Sequence, residues 1–131
     1  MKNNLLIKAE KNIKTGAWAE ENGFFDVAVS RFYYALYQKI LYILKTKYDF
    51  DDTALTEDSH NTTLNTFIRK IMVKLADDEK VWINILGKIK RCRVYADYKE
   101  DIISDKNDYN LMFKINYNNI SGVLEKFIPK E

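Results

Sequence analysis

The sequence predicts an all-α fold: an antiparallel up-and-down bundle of four to five helices, in one domain covering residues 1–131. Three observations predict it. Apolar residues recur at three- and four-residue spacing along most of the chain. Helix breakers are scarce, with four glycines and a single proline, Pro129, near the end. No stretch shows the strict alternation of a half-buried strand. The composition, 47% hydrophobic and 31% charged, is that of a globule with a real core, and 131 residues suit one domain.

The first helix is expected over residues 4–21, with Leu6, Ala9, Ile13 and Ala17 on one face and Gly16 allowing close backbone approach. Asn22-Gly23 stops it. The second, over residues 24–47, has two apolar stripes. One is Phe25, Val29, Phe32, Leu36 and Ile40; the other is Tyr33, Tyr37, Leu41 and Leu44. A helix apolar on two faces is central or lies at a subunit interface. Residues 48–58 read as a solvated acidic loop with Asp49, Asp51, Asp52, Glu57 and Asp58. It lacks the glycine and closing glutamate of a calcium loop.

Asp58 or Ser59 is expected to cap the third helix, whose stripe is Leu64, Phe67, Ile68, Ile71 and Leu75. Asp77 or Asp78 is expected to cap the fourth, with Trp82, Ile85, Leu86, Ile89, Cys92 and Ala96 inward. Ser104 or Asp105 opens the fifth, with Phe113, Tyr117, Ile120, Leu124 and Phe127 on its inner face.

A formal charge of +2 is too balanced to diagnose a nucleic-acid-binding protein. The lone Cys92 excludes an intramolecular disulfide and suits a reducing compartment. There is no signal-like apolar core at the N-terminus and no membrane-length apolar run, so a soluble cytoplasmic protein is expected. One histidine and one cysteine cannot build a structural zinc site, a Ser-His-Asp or Cys-His triad lacks parts, and no glycine-rich phosphate loop occurs. No metal and no cofactor are expected.

The run Arg91-Cys92-Arg93-Val94-Tyr95-Ala96-Asp97-Tyr98 concentrates polar groups near the end of the fourth helix. Metal-independent RNA cleavage requires activation of a 2′-hydroxyl, stabilisation of a phosphorane and protonation of a leaving oxygen. Arginine suits the phosphate, and histidine or tyrosine can move protons. Spacing alone favours a structural reading, in which Arg93 bridges Asp97 at i,i+4, Tyr98 packs and Arg91 is solvated. Lys88, Lys90, Arg91 and Arg93, with Arg69, Lys70 and Lys74 on the third helix, also suggest a basic strip. Acids interleave with it, as on an ordinary solvated surface.

Three segments taken together carry a resemblance. The second helix reads Ala28-Val29-Ser30-Arg31-Phe32-Tyr33-Tyr34-Ala35-Leu36-Tyr37, His60 opens the third, and the fourth ends Arg93-Val94-Tyr95-Ala96-Asp97-Tyr98. This order of arginine with Tyr-Tyr-Ala, histidine, then Arg-x-x-Ala-Asp-Tyr resembles the HEPN superfamily over roughly residues 5–128. These are small helical domains of prokaryotic defence and toxin–antitoxin systems.

The resemblance implies a four- or five-helix bundle, commonly a homodimer. Active members are metal-independent endoribonucleases whose motif is an arginine followed by four to six residues and a histidine, often Arg-Asn-x-x-Val-His-x-Tyr. Here Arg91 matches the arginine, Cys92 the polar position, Ala96 the histidine and Tyr98 the tyrosine. Alanine can neither shuttle a proton nor hold a scissile phosphate. The chain is therefore more similar to the Ala-Asp-Tyr branch, whose members often accompany a minimal nucleotidyltransferase.

The expectation that follows is a domain binding RNA, a nucleotide or a partner protein through Arg31, His60, Arg91, Arg93, Asp97 and Tyr98, without efficient cleavage. One alternative is a metal-independent endoribonuclease toxin. It would use Arg91 or Arg93 on the phosphate and His60 or Tyr98 for proton transfer. A second is a purely structural partner, assembling through Tyr33, Tyr34, Tyr37 and Tyr42.

Overall fold

A computed structural model describes residues 3–51 and 59–128. It is an all-α bundle, and among the described residues there is no strand. Helix α1 spans Asn3–Glu21 and α2 spans Phe25–Lys47. The turn between them follows from Asn22-Gly23. Gly23 takes φ +76°, Phe24 N–H reaches Ala19 O at 2.8 Å and Gly23 N–H reaches Glu20 O at 3.1 Å. That is a Schellman end, which favours glycine because a Cβ resists positive φ. The two helices then pack as a hairpin, close enough that a Cβ on Gly16 would lie 3.1 Å from the Phe32 ring.

Helix α3 spans Ser59–Ile71 and closes in a 3₁₀ turn at Met72–Lys74. The expected cap position Asp58 lies outside the described residues. Helices α4 (Asp77–Asn84) and α5 (Leu86–Tyr98) replace the single fourth helix expected. The N-cap position is Ala76 and not Asp77 or Asp78, which lie in the first turn; Glu79 reaches back to the Ala76 N–H at 2.9 Å. The break falls at Ile85, with φ −92° and ψ 10°. It has a packing logic. Ile83, Leu86, Ile89 and Cys92 are all buried and spaced by three. That spacing drifts around an ideal α-helix, and a tight turn at Ile85 offsets part of the drift.

The last rod comprises α6 (Lys106–Tyr109), a π-turn at Asn110–Lys114 and α7 (Ile115–Glu125). Asp105 caps it as expected, accepting from Asn107 N–H at 3.3 Å. The π-turn shifts the backbone register, and the Cys92 thiol donates to Met112 O at 3.1 Å. Cys92 is thus a packed thiol with its pKa raised by burial.

Helix α2 is the axis of the bundle and contributes thirteen buried residues. Its apolar stripes hold, but in α1 the inner face is Ala9, Gly16 and Ala19, while the expected Ala17 is exposed. Helix α5 runs opposite to α2, with Arg93 against Tyr33 and Asp97 near Asp26 and Ser30. The last rod runs with α2, pairing Phe25 with Tyr109, Phe32 with Tyr117 and Lys39 with Glu125. So does α3: His60 meets Tyr33, Thr63 meets Tyr37 and Lys74 meets Tyr48. Antiparallel pairing therefore holds for α1–α2, α3–α5 and α5–α7, whereas α2–α3 and α2–α7 are codirectional. The direction of α3 has a functional consequence, because α3 begins level with the middle of α2. No helix among the described residues is long and apolar enough to cross a membrane.

Candidate functional site

Tyr33, Tyr34 and Tyr37 stand together on α2, because residues one turn apart share a face. The codirectional α3 brings His60 and Thr63 onto that face, and the antiparallel α5 brings Arg93. The His60 ring lies parallel to Tyr37 at 4.0 Å between centroids, with 10° between planes. It also stacks on Tyr33 at 5.7 Å and meets Tyr34 edge-on at 6.0 Å. The Tyr37 hydroxyl is 3.3 Å from Thr63 Oγ1.

Tyr33 Oη and His60 Nδ1 are 2.8 Å apart. Burial pushes the Tyr33 hydroxyl well above its usual range, so it keeps its proton. His60 is held below 6.5, first by burial and then by the charges of Arg93 and Lys90. At neutral pH the imidazole is uncharged, Tyr33 donates to Nδ1, and the ring proton belongs on Nε2. The single lone pair of the imidazole is occupied.

Arg93 is only 8% exposed. Its guanidinium lies over Tyr33 at 5.2 Å and over Tyr34 at 5.6 Å. The Asp97 carboxylate is 3.4 Å away, a long contact, on a side chain 25% exposed. At this length, and with its carboxylate partly in water, the Asp97 pair contributes about 1 kcal/mol or less. A desolvated cation–π contact contributes up to about 2 kcal/mol. The tyrosine faces therefore hold Arg93 more than Asp97 does, and the simple Arg93–Asp97 bridge is a minor part of its environment. Burial disfavours its charge; the neighbouring Tyr34, Tyr33 and Asp97 outweigh that and its pKa is raised. Its Nε is buried and has no hydrogen-bond partner among the described residues.

Arg31 also lies over Tyr34, its guanidinium 5.6 Å from the ring centroid. It donates to Asn12 Oδ1 at 3.3 Å, and Asn12 Nδ2 donates to Gln38 Oε1 at 2.9 Å. Next to this chain is a groove of about 280 Å³ lined by Asp26, Val27, Ser30, Arg31, Ala96 and Asp97. Burial raises the Asp26 pKa, the Ile103 N–H lowers it and Asp97 raises it. Ala96, at the position matched to the motif histidine, presents only a methyl group here.

The structure thus gathers four of the six expected site residues, Arg31, His60, Arg93 and Asp97. It separates Arg91 and Tyr98 from them. Two residues apart on a helix means about 200° of rotation, so Arg93 turns inward and Arg91 outward. Arg91 lines a different groove, of about 410 Å³, with Asn61, Gly87, Lys90, Val94, Tyr95 and Lys99. Tyr98 is 73% exposed and projects from the end of α5. The basic strip likewise loses Arg93 to the interior. Of the four tyrosines expected at a protein interface, Tyr33 and Tyr42 belong to the core, leaving Tyr34 and Tyr37 half-buried.

The ring faces of Tyr33 and Tyr37, the Thr63 hydroxyl and the Asn12–Gln38 pair were not singled out as site groups from sequence. The i,i+4 spacing of Tyr33 and Tyr37 was the available signal, but a helical aromatic stripe reads first as core. Among the described residues no group of three or more His, Cys, Asp or Glu side chains could hold a metal ion. Set against known proteins, the chain matches no family model, no curated protein and no solved structure.

Proposed function

We propose that the chain is a HEPN-type domain of a prokaryotic toxin–antitoxin or defence system that binds RNA or a nucleotide through the Arg93–His60–tyrosine cluster, without efficient cleavage. One observation carries the reading: a nine-tenths-buried arginine, its Nε unpaired among the described residues, lies on two tyrosine faces beside a neutral histidine. Phosphates select arginine, and bases stack on aromatic rings or imidazole. A buried cation with an unfilled donor is expensive unless something uses it.

Two features support binding over turnover. His60 has no free lone pair with which to accept a proton, and Ala96 supplies no second imidazole. In this reading the protein is cytoplasmic and homodimeric, with a minimal nucleotidyltransferase as its partner. The proximity of His60 and Arg93 favours metal-independent ribonuclease action as the second reading.

The test is titration of fluorescein-labelled single-stranded RNA and of mononucleotides with purified protein, beside Arg93→Met and His60→Gln. Binding that both substitutions weaken supports the proposal. Affinity unchanged in both overturns it. RNA cut in the presence of chelator, and spared by His60→Gln, favours the ribonuclease.

A further inference from the structure

The end of the bundle where α1 turns into α2 carries an exposed apolar patch. Trp18 is 56% exposed, Phe24 52%, Val27 45% and Ile102 77%. They are contiguous. The Trp18 and Phe24 rings are 5.6 Å apart. Phe24, Val27 and Ile102 line one groove of about 200 Å³, floored by the buried Phe25 and Ile103. The groove is pre-formed, because the Asp26 carboxylate accepts the Ile103 N–H at 3.3 Å and pins the 99–105 segment to α2. Water gains nothing from four large apolar side chains held together in this way, and such patches mark contact sites.

The rim of the patch selects the occupant. Residues 18–27 and 97–105 carry seven carboxylates and one lysine, in a chain whose formal charge is +2. Lys114 and Arg93 neutralise Glu20 and Asp97. Asp26 lines the groove, and Glu21, Glu100, Asp101 and Asp105 lie on the segments that form it, against Lys99 and the adjoining Lys106, with Arg31 on the neighbouring groove that Asp26 shares. This pole repels nucleic acid and anionic lipid headgroups, and it attracts lysine and arginine.

We propose that this patch docks a basic amphipathic segment of a partner protein. One large apolar side chain of that segment fills the Phe24–Val27–Ile102 groove, Trp18 covers it, and its lysines or arginines meet Glu21, Asp101 and their neighbours. The mode is helix-in-groove recognition with an aromatic anchor and a charged rim. It does not depend on the ligand of the Arg93 cluster, which lies beside α3.

The probe is a synthetic amphipathic helix of leucine and lysine, with a leucine–glutamate counterpart as control. Binding is read from Trp18 emission in a Trp82→Phe background. The leucine–lysine peptide is expected to shift Trp18 emission to the blue. Its affinity is expected to fall at least about tenfold in Phe24→Ser and Ile102→Ser, and to fall again in Glu21→Lys/Asp101→Lys. All four positions are exposed, so circular dichroism should show unchanged folding, and RNA binding should be untouched. The proposal is overturned if the leucine–lysine peptide does not bind, if the leucine–glutamate peptide binds equally well, or if the substitutions leave affinity unchanged. It is also overturned if Ile102→Ser dissolves a wild-type dimer in sedimentation, which would make the occupant a second copy. Uptake by phosphatidylserine vesicles that Ile102→Ser abolishes would overturn it in favour of a membrane.

Discussion

Arg93→Met separates what Arg93 does for the fold from what it does for a ligand. The substitution keeps the length of the side chain and removes its charge. Loss of two desolvated cation–π contacts, at 5.2 and 5.6 Å, costs about 2–4 kcal/mol. Loss of the long Asp97 contact costs about 0.3–0.5 kcal/mol. Against this, the buried unpartnered Nε disappears, which recovers about 1–3 kcal/mol. The opposing effects partly cancel, so Arg93→Met should be less stable than wild type by about 1.5 kcal/mol, and by no more than about 3.5 kcal/mol. Arg93→Ala also loses the packed methylene stem and should be about 2 kcal/mol less stable than Arg93→Met. Urea unfolding followed by circular dichroism measures both, with equal m-values as the check that the unfolding remains comparable. RNA affinity should fall at least about tenfold in Arg93→Met, the 1.4 kcal/mol of one lost charged contact. A stability loss above about 4 kcal/mol, with RNA affinity intact, would make Arg93 a structural cation with no part in binding.

Three further predictions follow from the same geometry. His60 should titrate below 6.5 by NMR, and Tyr33→Phe should raise its pKa, because the Tyr33 hydroxyl binds the lone pair of the neutral ring; an equal or lower value in the variant would contradict the assigned proton positions. The unfolded chain takes up the His60 proton near 6.5 and the folded chain only at lower pH, so the stability linked to His60 is full above 6.5 and is lost as pH falls through the folded-state pKa. His60→Gln should therefore flatten the acid side of the stability profile, and a profile unchanged between the two proteins would count against burial of the neutral ring. Gly16→Ala should destabilise despite a helix-propensity gain of about 1 kcal/mol, since the new Cβ meets the buried Phe32 ring at 3.1 Å and overpacking costs about 1–3 kcal/mol; a higher Tm in the variant would show that the hairpin can open at no cost.

Much of the bundle was legible because burial leaves a periodic trace. The stripes Phe25–Ile40 and Phe113–Leu124 are core, Asn22-Gly23 ends α1, and Asp105 caps the last rod. The misplaced details are local. Ala17 reads as an inner residue because alanine is tolerated on either face. The break at Ile85 and the π-turn at Asn110–Lys114 leave no composition signal, since both are adjustments of register to packing. The candidate site was half legible: Arg31, His60, Arg93 and Asp97 converge, whereas Arg91 and Tyr98 lie on the outer side of α5.

Local pattern was enough to show that this protein is helical, where most of its helices lie, and that α2 is apolar on two faces. Those properties depend on neighbours a few residues apart, which periodicity records. Which polar groups meet was set by how the helices pack. The direction of α3 beside α2 places His60 against Tyr33 and Tyr37, and the rotation of α5 sends Arg93 inward and Arg91 out. Contacts between residues 27 or 60 positions apart depend on helix direction and azimuth, and no local pattern encodes either.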